Sequence, residues 1–193
     1  MEFIMHPRRL LPLCLILFVL CMLPLSQAAA FSAFISNAGS NTVSVIDTGT
    51  NSVTATISGG DTPYGVAVSP DGGTVYVTNH GDDSVSVISA ATNSVSATIT
   101  LASGAHPVGV AVMPNAAKVY VANVNDDTVA VINALTNTIS TTLNIGSNTE
   151  PFGIAITPDG AAAYVTKGAA GSVAVIATAT DSLTASINVG SIP

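Results

Sequence analysis

Two short loops concentrate the groups that could do chemistry. Asn79-His80-Gly81-Asp82-Asp83 and Asn123-Val124-Asn125-Asp126-Asp127 each end in adjacent carboxylates, and the two stretches lie 44 residues apart. Hard cations such as Ca²⁺ collect several oxygen ligands, so Asp82, Asp83, Asp126 and Asp127, brought together from neighbouring loops, form a candidate calcium site. Their spacing is not that of an EF-hand loop. A structural use competes: Asp and Asn ahead of Ser84 or Thr128 can bond nearby backbone N–H groups in tight turns. Gly39-Ser40-Asn41 and Ala170-Gly171, which stand at the equivalent places, carry no acid.

Four further residues are candidates for a ligand-facing surface: Asp61, His80, His106 and Glu150. His106 takes the place that Thr62 and Glu150 hold elsewhere, immediately before a recurring proline. An imidazole there can serve as a base or metal ligand, or simply as an exposed loop residue. His80 and His106 could share one metal, but they lie in different loops and no spacing rule links them. No Gly-x-Ser-x-Gly elbow is present, and no glycine-rich phosphate loop links a strand to a helix. These residues give no catalytic constellation, so a non-enzymatic role is expected. No cofactor is expected beyond such a calcium ion.

Charge excludes one class of partner. After residue 30 the only strong bases are Lys118 and Lys167, against ten carboxylates, and the whole chain carries a formal −7. Without a basic patch to displace counterions, a nucleic-acid partner is not expected, and neither is an anionic lipid surface.

The candidate residues are carried by a repeat. Phe34-Ile-Ser-Asn aligns with Tyr76-Val-Thr-Asn, Tyr120-Val-Ala-Asn and Tyr164-Val-Thr-Lys, at offsets of 42, 44 and 44. VSVID (43–47), VSVIS (85–89), VAVIN (129–133) and VAVIA (173–177) follow, then TNSVTATI, TNSVSATI, TNTISTTL and TDSLTASI. PYGVAVSPDG (63–72), PVGVAVMPNA (107–116) and PFGIAITPDG (151–160) recur three times. Apolar residues alternate with Ser, Thr or Ala in these segments, the period of two that a strand requires. Pro followed by Asp-Gly gives the tight turns. Four antiparallel segments every forty-odd residues define an all-β array of propeller blades. A β-sandwich does not repeat at a fixed period.

On the tetrapeptides Tyr76-Val-Thr-Asn and Tyr164-Val-Thr-Lys, with PxGVAVSPDG and TNSVxATI, the chain resembles the YVTN β-propeller repeat family. The resemblance covers residues 31–193, with units 31–75, 76–119, 120–163 and a short 164–193. It implies a propeller fold, commonly a seven-bladed ring, and an exported or surface-layer setting. It carries over no catalytic residue. Lactonase-like and quinoprotein-like propellers are built from similar blades, so fold alone does not decide the chemistry.

Three complete blades and one that lacks its first strand make fifteen strands. Three closures follow: a truncated gene product, a second copy that completes a larger ring, or a strained four-bladed ring. In a blade, the loops from the fourth strand to the next first strand, and from second to third, share one face. That face collects Asp61, His80, Asp82, Asp83, His106, Asp126, Asp127, Glu150 and Lys167. Phe34, Tyr76, Tyr120 and Tyr164 recur once per blade and read as packing residues. Gly65, Gly109 and Gly153 are expected where a crowded channel leaves no room for a side chain.

Arg8 and Arg9, an apolar run from Leu10 to Leu25, and Ala28-Ala29-Ala30 read as a secretory signal over residues 1–30. Both cysteines, Cys14 and Cys21, fall inside it, so the remainder has no disulfide framework. The expected protein is therefore exported, outside the membrane after cleavage. It would bind a protein or glycan at the cell surface, and a second copy of itself where two partial rings complete each other. The alternatives are a fragment of a lactonase-like or quinoprotein-like enzyme, and a truncated product without function. The absence of Arg and Trp after residue 30, with only two histidines there, favours binding.

Overall fold

A computed structural model describes residues 31–191 and 193; the secretory signal expected over residues 1–30 lies outside the described residues. β1 (Ser32–Asn37), β2 (Thr42–Asp47) and β3 (Ser52–Ser58) make a three-stranded sheet. Three four-stranded sheets follow. They are β4 (Pro63–Val68) to β7 (Ser94–Thr100), with β5 (Thr74–Asn79) and β6 (Ser84–Ser89); β8 (Pro107–Val112) to β11 (Thr138–Asn144), with β9 (Lys118–Asn123) and β10 (Thr128–Asn133); and β12 (Pro151–Ile156) to β15 (Ser182–Asn188), with β13 (Ala162–Lys167) and β14 (Ser172–Ala177). Every strand pairs antiparallel with its sequence neighbour within the sheet. These are four blades, the first without its inner strand.

The turns have a local cause. Asn51, Asn93, Asn137 and Asp181 close the outer hairpins with φ between 47° and 53°. Asn and Asp tolerate this left-handed region better than other residues with side chains, which explains the recurring Thr-Asn or Thr-Asp. In every blade the pairing of third and fourth strands shifts register at the same place, as between Val87 and Ile88. Such a bulge increases strand twist.

Blades stack through alternating side chains. Phe34, Val43, Val45 and Ile57 of the first meet Val75, Val77 and Ile88 of the second. Tyr76, Val85, Val87 and Ile99 then meet Val119, Val121 and Ile132, and Tyr120, Val129 and Val131 meet Ala163, Val165, Ala174 and Ile176. Burying each such valine or isoleucine stabilises by roughly 1.5–3 kcal/mol. A polar clamp joins the last pair: Lys118 Nζ lies 2.7 Å from Asp181 Oδ2, and the Tyr120 hydroxyl donates to Asp181 Oδ1 at 2.5 Å. Burial, and then the Asp181 carboxylate, push the Tyr120 pKa far above its ordinary value.

The stack is an open arc. Inner strands β4, β8 and β12 lie side by side, but the fourth blade does not return to the first. The strained four-bladed ring is therefore not formed; each interface is set by the blade contacts just described, and among the described residues nothing draws the two ends together. The recurring aromatic reports the consequence. Tyr76 and Tyr120 are 3% and 0% exposed, whereas Tyr164 on the last blade is 40% exposed.

The glycines crowd against backbone rather than against one another across a channel. A Cβ on Gly65 would sit 2.2 Å from the Val108 carbonyl oxygen, and one on Gly109 would sit 2.1 Å from the Phe152 carbonyl oxygen. Among the described residues no blade packs on Gly153, and a Cβ there meets only Thr166, at 3.4 Å from Oγ1 and 3.8 Å from Cγ2. Gly109→Val is therefore expected to cost at least about 3 kcal/mol by forcing two inner strands apart. Gly153→Ala is expected to change stability by less than about 0.5 kcal/mol. Thermal denaturation of the two variants checks the contrast, and equal losses would contradict it.

Candidate functional site

The face that gathers the titratable loops forms as the strand order requires, but most of its carboxylates are already engaged. Asn41, Asp83, Asp127 and Gly171 occupy one position in the four loops between second and third strands, and all are left-handed, with φ of 58°, 51°, 55° and 58°. From this position the side chain reaches across to the loop that leads to the next blade. Asp83 accepts from the Gly104 N–H at 2.6 Å and the His106 N–H at 2.8 Å. Asp127 accepts from the N–H groups of Asn148, Thr149 and Glu150 at 2.7, 2.6 and 3.0 Å. Asn41 does the same for Thr62 at 2.9 Å. These bonds span some twenty residues, so they are clips between loops, not the local turn bonds expected from sequence.

The bonds depress both carboxyl pKa values. At Asp83 the His106 and Gly104 N–H groups are responsible. At Asp127 desolvation pushes upward, but the N–H groups of Thr149, Glu150 and Asn148 outweigh it. The clipped residues Thr62, His106 and Glu150 are themselves left-handed, with φ of 52°, 46° and 48°. Such backbone costs on the order of 1 kcal/mol or more per residue, and the clip offsets it.

The calcium reading loses its geometry here. Asp83 and Asp127 point into different crossover loops, and Asp82 Oδ2 accepts from the Asp61 N–H at 2.6 Å. Asp61 Oδ1 in turn accepts from Asn41 Nδ2 at 3.0 Å. Asp126 stands half-buried beside Asp127. Among the described residues, no three or more His, Cys, Asp or Glu side chains gather where they could hold a metal ion. Lys167, at the position of Asn79 and Asn123, is buried and donates to Ser186 Oγ at 2.8 Å.

The two histidines that sequence could not link are neighbours. Their ring centroids are 4.6 Å apart, and His106 Nδ1 lies 3.0 Å from the His80 carbonyl oxygen. A carbonyl only accepts, so the proton is on Nδ1 and the lone pair of His106 is at Nε2. Tyr64 extends the group, with its ring 6.5 Å from His80 and in edge-to-face contact with Phe152 at 5.6 Å. Tyr64 and Phe152 are the exposed residues that follow the repeat proline on β4 and β12, with buried Val108 between them on β8. The result is a chain of four rings along the mouth of the channel. Beside it an open cavity of about 590 Å³ is lined by Val124, Glu150, Phe152, Gly168, Ala169 and Pro193. That volume suits a small ligand, and Glu150 is the one acidic side chain among the described residues on its wall.

Sequence reasoning missed Tyr64 and Phe152. The available signal was variation: the aromatic of the second strand recurs in every blade, whereas the residue after the proline changes from Tyr to Val to Phe.

A family model described as lactonase, seven-bladed β-propeller, matches residues 30–144, more than half of the chain. A stretch of 37 residues is 62% identical to the PE-PGRS family protein PE_PGRS18 of Mycobacterium tuberculosis (strain ATCC 25618 / H37Rv), covering 19% of this chain and 8% of that protein. Among solved structures, Kuenenia stuttgartiensis hydrazine synthase superposes with a TM-score of 0.76 at 27% identity, covering 82% of this chain and 46% of that one. A functionally unknown protein from Desulfotomaculum acetoxidans DSM 771 superposes at 0.73 with 19% identity, covering 85% and 57%, and shows the fold alone. The chain thus spans less than two thirds of the length of each of these relatives.

The clips give a prediction with a sign. Carboxyl groups with pKa values lowered by folding add stability above their unfolded pKa, and lose it as pH falls through the folded value. Asp83→Ala is expected to lose about 1–2 kcal/mol at pH 7, whereas Asp83→Asn, which keeps one acceptor oxygen for the two N–H groups that Asp83 Oδ1 and Oδ2 hold, is expected to lose less than the Ala variant at pH 7. The Ala deficit should shrink as pH falls below about 4. Melting curves of the two variants across pH 3–7 test this; a pH-independent deficit would count against it.

Proposed function

Because this chain belongs to the lactonase seven-bladed β-propeller family, we propose that it is an exported binding module that takes a glycan or protein at the channel mouth of its blade array. The observation that carries the reading is the unbroken chain of rings from Phe152 through Tyr64 and His80 to His106, next to a ligand-sized cavity. Exposed aromatic rings with a few convergent polar groups are a common recognition surface: the rings offer flat apolar area, and the imidazoles and Glu150 offer hydrogen bonds. The acidic surface, formally −7 over the chain, disfavours anionic ligands. A neutral oligosaccharide, flat and apolar on one side and hydroxylated at its edges, matches both properties. The signal reading of residues 1–30 supports a place outside the cell, where such ligands occur.

A second reading is lactone hydrolysis, favoured by the family and by the free Nε2 of His106. Here His106 would take a proton from water as the oxygen attacks the lactone carbonyl, and the ring ester C–O bond would then break as the imidazolium returns that proton to the leaving oxygen, giving the hydroxy acid.

Titration with a panel of neutral oligosaccharides by calorimetry separates the two readings. Binding should saturate for at least one member, and Tyr64→Ala with Phe152→Ala should weaken it by about tenfold or more. Unchanged affinity in the double variant would contradict the site. Turnover of a panel of lactones that disappears in His106→Gln would move the assignment to the second reading.

A further inference from the structure

We infer that a cavity between the second and third blades, on the face opposite the channel mouth, is a binding site for a primary alkylammonium group. The protein carries its own template for such a site one repeat later. Where the third and fourth blades meet, Lys118 Nζ donates to the Thr178 carbonyl at 2.9 Å and to Asp181 Oδ2 at 2.7 Å. The Tyr120 hydroxyl donates to the other oxygen of the same carboxylate. An ammonium group is thus built into that seam.

Between the second and third blades the same positions hold Thr74 for Lys118, Tyr76 for Tyr120, Ala134 for Thr178 and Asn137 for Asp181. The backbone is equivalent: the Ala134 N–H donates to the Ala117 carbonyl as the Thr178 N–H donates to Ala161. Threonine ends at its γ atoms, so the Cδ, Cε and Nζ of the lysine have no counterpart. A cavity of about 210 Å³ opens there, with Asp71, Thr74, Tyr76 and Ala134 on its wall.

Three observations say what the cavity takes. First, Asn137 Oδ1 is buried and has no hydrogen-bond partner among the described residues. A buried acceptor of this kind is costly until a donor reaches it. Second, the charge is unbalanced. At the later seam Lys118 and Asp181 cancel, and Asn115 stands in the turn where this seam has Asp71. The Ser69 hydroxyl and the Gly73 N–H lower the Asp71 pKa, so the carboxylate is charged, and no base lines the cavity among the described residues. Burial, and then Asp71, push the Tyr76 pKa up, so its hydroxyl stays neutral and its oxygen can accept. Third, the wall is part apolar, with Val112 and Leu135 beside the polar groups. A metal ion prefers a cage of oxygens, whereas an ammonium on a short methylene stem uses both kinds of wall.

Amide NMR spectra of the isotope-labelled protein, titrated with n-butylammonium chloride, test the inference independently of the channel-mouth reading. Saturable shifts are expected at Thr74, Tyr76 and Asn137, and n-butanol, which has the stem without the charge, should give none. Asp71→Asn should weaken binding by roughly threefold. Thr74→Lys should abolish it, because the new side chain brings its own ammonium to the place. A free amine and a lysine side chain present the same group. Tighter binding of Nα-acetyl-lysine amide than of butylammonium would name a polypeptide lysine as the source, and the reverse order a free amine. Absence of saturable shifts, equal binding of n-butanol, undiminished binding in Thr74→Lys, or shifts confined to the channel mouth would overturn the inference.

Discussion

Neighbouring inner strands approach so closely that a Cβ on Gly65 would sit 2.2 Å from the Val108 carbonyl oxygen, and one on Gly109 2.1 Å from the Phe152 carbonyl oxygen. A side chain at either place would hold the strands apart. With glycine there, the blades close to a spacing that one layer of Val, Ile and Tyr fills from each side, and three clusters repeat along the arc. The same contact sets where the loops above lie. The crossover from one blade to the next must arrive at a fixed place, and Asn41, Asp83 and Asp127 hold it there through N–H groups that left-handed residues present.

That arrangement explains why a surface rich in acids is poor in conventional sites. Asp82, Asp83 and Asp127, three of the four carboxylates that could have gathered a cation, are spent on the crossovers. What remains for the proposed recognition surface is what the repeat does not fix: the residue after the proline, and the residue before it. Tyr64 and Phe152 come from the first of these positions and His106 from the second, and the short inter-blade distance brings their rings into contact with His80 and with one another. Scaffold and site are thus separated by position within the repeat.

Much of the fold was legible in the sequence. Period-two alternation and the recurrence of Tyr-Val-Thr-Asn give all fifteen strands, and the missing first strand was visible as a missing Pro-x-Gly element before residue 31. Physical contacts between repeats were not legible. The clip from Asp127 to Glu150 crosses 23 residues, and nothing in a single sequence marks which loop a carboxylate will meet. His80 and His106 looked unrelated for the same reason, because their loops approach only after the second blade has turned the chain back on itself. The role of Gly109 was placed correctly on a crowded inner strand, but the crowding partner is backbone from the next repeat, which composition cannot reveal.

Amide hydrogen exchange, resolved along the strands of the full chain, tests the open arc most directly. In β5 and β9 the inward amides bond to β4 and β8, so they should exchange slowly. The inward amides of β1 meet no such partner among the described residues and should exchange far faster than their counterparts in β5 and β9, while its outward amides, paired with β2, stay protected. Equal protection of β1 and β5 on both edges would mean that another strand already covers the first blade, and would contradict an arc that ends there.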